Sequence, residues 1–336
     1  MKRIMVTGGA GFIGSAFVRW QLANYPDVHI VNVDKLTYAG NLENVAGVDP
    51  ARHTFIQGDI ADKDAMLKAM EGCDAVVNFA AETHVDRSIL GAAEFLRTNV
   101  DGVWNLAECA KQLGTARVVF VSTDEVYGSI AEGSFKESDP VTPRNPYSAA
   151  KAGGELIGMS YFHTFDVPVI ITRGSNTYGP HQYPEKVLPL FTTNAIDRQS
   201  LPLYKGGEHN VRDWLYVEDH ASGIDCALRN GQPGEVYNVA GGNERENIEL
   251  TRKILELTDR DESLIQWVPD RPGHDRRYSI DATKLKALGW QPAMPWEDGM
   301  ATTVKWYQEN ESWWRKIKSG EFKEYYARQY AALKGA

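Results

Sequence analysis

Cysteine is scarce in this 336-residue chain: Cys73, Cys109 and Cys226 are the whole complement. An odd count at wide spacing excludes a disulfide framework and a thiolate zinc site, leaving three inert thiols. No apolar run is long enough to span a bilayer. Met1 leads almost directly into a strand-like segment without the apolar core of a secretory leader, so a cytoplasmic location with no membrane partner is expected. Low-complexity tracts and internal repeats are missing. With 24% charged and 43% hydrophobic residues, the chain should fold throughout. No basic stripe stands out, and a formal net charge of -9 argues against nucleic acid as a partner, though an acidic protein can still bind a phosphate locally. The eight histidines form no ligand-spaced cluster beside a carboxylate, so no metal is expected.

What is present is an alternation. Short apolar runs rich in β-branched residues recur at 4–6, 28–33, 75–79, 118–121 and 169–171, separated by helix-length segments. Runs apolar on both faces predict a parallel sheet covered by helices on each side, a Rossmann-like doubly wound α/β fold. Beyond about residue 175 the rhythm changes, and strand candidates at 201–204, 214–217, 236–239 and 265–268 alternate with Pro/Gly-rich loops. The expected division is a dinucleotide-binding domain over 1–175 carrying the catalytic residues. A smaller α/β substrate-binding lobe follows over 176–336, with some chain returning to the first domain. Trp306, Trp313, Trp314, Tyr325 and Tyr326 in the tail have helical spacing and read as packing.

Gly8, Gly11 and Gly14 form a GxxGxxG run between the first strand and a helical pattern beginning near Phe12. The first glycines permit a tight turn and close approach of backbone to a pyrophosphate, and the last lets the helix pack against the sheet. The helix N-terminus then offers free N–H groups to the anion. Asp34 closes the second strand 20 residues after Gly14. A carboxylate there accepts hydrogen bonds from an adenosine ribose and repels a 2′-phosphate, which favours NAD over NADP. Asp59, after the third strand, is placed beside the adenine, and Phe79, Ala80 and Ala81 at the end of the fourth leave room for the cofactor.

Tyr147 and Lys151 are four apart on a segment opened by Pro146, a good first-turn residue, so they share one helical face. An ammonium within reach of the phenol favours the phenolate by about 1.4 kcal/mol per pKa unit. Tyr147 is thereby expected to act as a base at neutral pH. Upstream, the fifth strand runs out through Val121 and Ser122 into Thr123, Asp124 and Glu125. That puts a hydroxyl and two carboxylates at the carboxyl edge of a parallel sheet, where ligands bind. Adjacent acids in a cleft raise each other's pKa and can serve as general acid and general base.

The chain resembles the extended short-chain dehydrogenase/reductase superfamily and, within it, the dTDP-glucose 4,6-dehydratases. The resemblance runs from Met1 to about Trp314. It is carried by the segments 34–41 (DKLTYAGN), 80–88 (AAETHVDRS), 122–128 (STDEVYG), 184–186 (PEK), 211–215 (VRDWL) and 271–278 (RPGHDRRY). It implies that Tyr147, aided by Lys151 and Thr123, takes the C4 hydroxyl proton while the C4 hydride passes to NAD. Glu125 then removes the C5 proton, Asp124 as a neutral acid protonates the leaving C6 hydroxyl, and the hydride returns to C6. It also implies cofactor contacts at Phe12, Ile13, Lys35, Leu36, Thr37, Ile60, Thr98 and Thr177. Substrate contacts are implied at Thr83, Thr123, Asn176, Lys186, Val187, Pro202, Tyr204, Arg212, Asn247, Arg271, His274 and Tyr278, around a small-molecule nucleotide-sugar. A homodimer, through helices near 92–113 and 146–165, is implied as well. Two departures stand out: Thr177 where the family usually has Asn, and a longer loop from Lys205 to Asn210.

Sugar-nucleotide 4-epimerases and nucleotide-glucuronate decarboxylases share the glycine run and the Tyr147/Lys151 pair. Elimination needs an added acid and base, so the adjacent Asp124 and Glu125 favour the dehydratase. A catalytically silent NAD-binding module would keep the glycines and lose the tyrosine or lysine, and both are here. Thymidine against uridine, and the downstream pathway, stay open at the level of sequence.

Overall fold

The structure, a computed structural model, describes residues 1–270 and 274–319. Seven parallel strands make the main sheet: β1 (Arg3–Thr7), β2 (His29–Asp34), β3 (His53–Gln57), β4 (Ala75–Asn78), β5 (Arg117–Thr123), β6 (Val169–Gly174) and β10 (Val236–Val239). Their order across the sheet is β10-β6-β5-β4-β1-β2-β3. The order reverses at β1, with Val6 between Asn32 of β2 and Val77 of β4. Beyond the carboxyl ends of those strands lies the crevice that open α/β sheets offer to ligands.

The apolar runs form this sheet because alternate side chains have two cores to fill. Ile4 and Val6 face a cluster with Phe17, Ile224 and Tyr237, while Met5 faces another with Val31, Met66, Leu106 and Phe120. All three β1 residues are fully buried, and each such side chain contributes about 1.5–3 kcal/mol. Helices α1 (Phe12–Asn24) and α8 (Val217–Asn230) pack together on one side. On the other, α5 (Gly102–Leu113) packs against both α2 (Lys63–Met70) and α6 (Pro146–Phe165). Between β4 and α5 come α3 (Val85–Leu90), α4 (Ala93–Leu96) and one π-helical turn over Arg97–Asp101, which widens the helix where Thr98 faces the crevice.

The remaining strands form a three-stranded sheet and a two-stranded one. In the first, β9 (Val211–Tyr216) lies between β7 (Asn176–Tyr178) and β11 (Glu244–Glu246); in the second, β8 (Leu201–Tyr204) pairs with β12 (Ile265–Val268). Helices α7 (Val187–Ile196), α9 (Asn247–Leu257) and α11 (Trp296–Glu309) close a core of Tyr178, Leu188, Phe191, Trp214, Ile254 and Trp296. The short α10 (Thr283–Lys286) packs near β10, and α12 (Glu311–Ser319) follows α11. The segment 236–239, read from sequence with the C-terminal lobe, is β10 and pairs with β6 in the main sheet, Tyr237 opposite Thr172. Strands β7 and β11, three residues each, are too short to show a period in sequence.

Candidate active site

A cleft of about 330 Å³ opens along the carboxyl ends of β1, β2, β4 and β5. Gly8, Gly11, Phe12, Ile13 and Gly14 form its floor. Gly8 has φ +70°, and a Cβ there would come within 2.5 Å of the Ala80 nitrogen; one on Gly14 would lie 2.2 Å from the Gly8 carbonyl oxygen. Only glycine lets this turn close. Helix α1 follows without a side-chain cap at Gly11 and without an acid in its first turn, so its N–H groups point at the cleft unopposed. Asp34 anchors the turn from β2, Oδ2 accepting from the Ala10 N–H at 3.0 Å and Oδ1 from the Leu36 N–H at 2.8 Å. Burial pushes its carboxyl up, against those two hydrogen bonds. Lys35, Thr37, Asp59, Ile60, Phe79, Ala80, Ala81, Thr98 and Thr177 line the walls. Leu36 does not: among the expected cofactor residues it lies off the lining, at φ +55°. Lys35 and Arg97 each reach Asp59 at 3.0 Å and, with the Ala61 N–H, overcome burial to hold its carboxyl below the usual range. A glycine cradle, an uncapped helix end and a strand-end carboxylate fit a dinucleotide.

The reactive groups face this cleft from β5 and α6. Strand β5 ends at Thr123 and tightens into a 3₁₀ turn, Asp124–Tyr127, whose first two residues both line the cleft, the first buried and the second half-buried. Thr123 caps the turn, accepting from the Glu125 N–H at 3.3 Å and donating to Asp124 Oδ1 at 3.2 Å. Asp124 is 3% exposed and its Oδ2 has no partner. Burial, then Glu125 and Asp213, push its pKa well above the carboxylate range. Helix α6 starts at Pro146 under a capping box, Asn145 Oδ1 accepting from the Ser148 N–H and Ser148 Oγ from the Asn145 N–H. The Asn145 amide also donates to Glu125 Oε2 at 3.4 Å.

The expected Lys151–phenol contact is replaced by another. Lys151 Nζ donates to the Val121 carbonyl at 2.6 Å, because a buried ammonium takes the nearest acceptor and the end of β5 supplies one. Burial draws Lys151 down to about 8, against the pull of Glu155. Burial and the charges of Glu125 and Asp124 raise the Tyr147 phenol, with Thr123 alone opposing. The chain's own groups hold Tyr147 protonated.

A second cleft of about 180 Å³ lies between the main sheet and α7, β8, β9 and α9. It brings together Pro202, Tyr204, Arg212, Asn247, His274 and Tyr278 from the expected substrate set. Arg271 lies outside the described residues. Glu125, Asn176, Glu185, Lys186, Val187 and Trp214 line both clefts, so the two are continuous. Thr83 and Thr123 belong to the first. Lys186 donates to the Thr83 carbonyl at 3.0 Å, Arg212 donates to the Asp275 carbonyl at 2.8 Å with its guanidinium over the Tyr278 ring, and Asn247 donates to the Gly207 carbonyl at 2.9 Å. His274 meets the Tyr204 ring edge to face at 5.6 Å. Thr177, one of the two departures, has its hydroxyl 2.7 Å from Nδ1 of His220, which lines the same cleft, and burial takes His220 down to about 3.

Sequence reasoning passed over Tyr38, Glu82, Gln182, Tyr183 and Glu185 in the first cleft and His84, Asp86 and Phe191 in the second. Tyr38 donates to Glu185 Oε1 at 3.2 Å and Arg87 to Oε2 at 3.3 Å, with the guanidinium 3.9 Å from the Tyr38 ring. These partners lie 147 and 98 residues apart, a pairing no local pattern reveals.

A tyrosine and lysine facing a dinucleotide cleft place the molecule among the extended short-chain dehydrogenases/reductases. More narrowly, the chain belongs to the GDP-mannose 4,6 dehydratase family, whose model matches residues 5–303. It is 49% identical over 323 residues to the dTDP-glucose 4,6-dehydratase of Streptomyces niveus, covering 94% of this chain and 96% of that one. It is 50% identical over 305 residues to the low-salt glycan biosynthesis protein Agl12 of Haloferax volcanii, covering 90% and 98%. Among solved structures it is similar to dTDP-glucose 4,6-dehydratase from Streptomyces venezuelae with NAD bound, at TM-score 0.92 and 50% identity, covering 94% of this chain and all of that one.

Proposed function

We propose that this protein is an NAD-dependent 4,6-dehydratase that converts a nucleotide-diphospho-glucose, dTDP-glucose first of all, into the 4-keto-6-deoxy sugar nucleotide. The observation that carries the reading is the continuity of the two clefts through Glu125, with Asp124 buried beside it. The relatives named dTDP-glucose 4,6-dehydratase support the substrate.

Bound NAD supplies a reversible acceptor for the C4 hydride, returned at C6. Tyr147 releases its own proton to solvent along the open cleft and then, as phenolate, takes the C4 hydroxyl proton, with the Thr123 hydroxyl favouring the phenolate. Lys151, drawn down to about 8, is a proton carrier in the same wall. The C4 carbonyl acidifies C5–H, which Glu125 removes; Asp124, kept neutral by burial, protonates the C6 hydroxyl, and water leaves. Glu125 then returns a proton to C5. Lys186 and Arg212 suit the diphosphate as a point charge and a planar fork, Tyr204 and His274 the base, and Thr83, Asn176 and Asn247 the polar edges between. In this division of labour residues 1–175 hold NAD and the reacting groups, and 176–336 mainly the substrate.

No helix among the described residues is long and apolar enough to cross a membrane. We place the protein's work in the cytoplasm, where three unpaired cysteines remain reduced. A homodimer is supported by the exposed Leu96, Trp104 and Leu113 on α4 and α5 and Leu156 and Phe165 on α6, helices that pack side by side. Incubation with dTDP-glucose in deuterated water, without added NADH, tests the reading. Loss of one water, deuterium at C5 and a methyl at C6 are expected; a 4-epimerised product, or release of carbon dioxide from a nucleotide-glucuronate in its place, would overturn it.

A further inference from the structure

The glycine turn is braced from the far end of the chain. Ala10, in the middle of that turn, accepts through its carbonyl from the Asn44 side-chain amide at 2.9 Å and from the Asn41 N–H at 3.0 Å. The other end of the Asn44 amide, its Oδ1, accepts from the Trp313 indole N–H of α12 at 3.0 Å. Asn44 is 3% exposed and Trp313 6%, so neither contact is exchanged readily with water. A second strut starts one helix earlier. Tyr307 of α11, fully buried, donates to the Gln182 carbonyl at 2.5 Å, and the Gln182 amide donates to the Thr177 carbonyl at 2.9 Å. Gln182 and Thr177 line the opposite wall of the same cleft. Trp314 ties the two helices together through its indole N–H on the Tyr307 carbonyl at 2.8 Å, and the His181 ring packs tilted against Trp306 and edge to face with Trp313.

We infer that helices α11 and α12 are a cofactor brace: Trp313 through Asn44, and Tyr307 through Gln182, are positioning residues that hold the two walls of the dinucleotide cleft in binding geometry and so retain NAD. The inference rests on the NAD-dependent reading. It gives Trp313 a task beyond packing, because a turn already held in place loses little freedom when a pyrophosphate docks on it; Tyr325 and Tyr326 lie outside the described residues. Retention matters to this chemistry in particular, since a cofactor leaving after C4 oxidation strands a ketone that only the departed hydride can finish.

The test is isothermal titration of the full chain, freed of cofactor, with NAD and separately with dTDP. Trp313→Phe keeps one aromatic ring while deleting the N–H together with the indole's second ring, and Tyr307→Phe deletes a single hydroxyl on the other strut, so one variant serves should the other fail to fold. The expected result is an NAD Kd raised about tenfold, equivalent to about 1.4 kcal/mol, an unchanged dTDP Kd, and free NADH appearing in the filtrate during turnover of dTDP-glucose. A purely structural role would lower the Tm while moving both affinities together or neither. Wild-type protein that binds NAD but leaves dTDP-glucose untouched would end the dehydratase reading alone, and the Kd comparison would still decide this one. NAD bound with wild-type affinity by the folded variants overturns the brace.

Discussion

Asp124 and Glu125 share a peptide bond and almost nothing else. Both line the cleft, but Asp124 is buried and Glu125 half-buried, and Thr123 holds the turn by donating to the Asp124 carboxylate and accepting from the Glu125 backbone N–H. The linkage of Asp124 follows from its raised pKa. Neutral in the fold, it contributes stability below the ordinary value of 3.8 that is lost as pH rises towards and through its folded pKa, while the unfolded carboxyl ionises freely. Asp124→Asn, neutral at every pH, is therefore expected to raise the Tm at pH 7 by about 2–4 °C per kcal/mol gained. Its advantage over wild type should shrink as pH is lowered towards 4. The same variant loses the proton donor for C6, and kcat should fall by about 10²-fold or more. Thermal melts at pH 4 and 7 beside turnover measure both, and a variant that is less stable at pH 7 would contradict the neutral acid. The adjacency of these acids was legible in the sequence. Their unequal burial was not, because it depends on a turn type that four residues do not announce. Lys151 shows the same limit: the four-residue spacing put it on Tyr147's helical face, and only the end of β5 shows that its ammonium goes to the Val121 carbonyl.

Helix α6 was readable because Pro146 marks its start locally, and the structure adds a capping box of Asn145 and Ser148 around it. What the local signal leaves out is that the cap serves the neighbouring turn as well, since Asn145 donates onward to Glu125. Asn145→Ser separates the two duties. A serine caps a helix nearly as well as asparagine, so the Tm should stay within about 1 °C of wild type. The Glu125 carboxylate loses its amide partner, and kcat should fall several-fold at unchanged NAD affinity. Equal losses in stability and rate would reduce Asn145 to a cap. The π turn at Arg97–Asp101 and strands β7 and β11 were illegible for a related reason. Each is a short deviation whose cause lies in what packs on it.

At the scale of the molecule, a parallel sheet covered by helices could be anticipated from the alternation of runs and helices, though not its edge strand β10, and the cofactor cleft from one glycine run and one acid. The second cleft could not be built that way. Its walls come from α3, α7, β8, β9 and α9, joined by contacts such as Arg87 to Glu185 that span 98 residues. The exposed apolar side chains of α4, α5 and α6 also belong to this scale, because the proposed homodimer would cover them. Paired replacement Trp104→Glu and Leu156→Glu is expected to give a monomer by sedimentation, while the wild-type chain sediments as a dimer. A wild-type monomer, or a dimer that survives both charges, would remove the homodimer.

The place of β10 has a consequence for synthesis on the ribosome. The chain leaves the main sheet after β6, builds β7, β8 and β9, and comes back only at Val236 to cover that strand's open side. Until then a nascent chain that has completed β6 presents an unpaired edge from Val169 to Gly174, apolar over Val169–Ile171, every residue of which is buried in the finished protein. Such an edge is a template for adhesion to other chains. The late strand thus acts as a seal, and truncation before it should yield inclusion bodies instead of a free-standing dinucleotide-binding half.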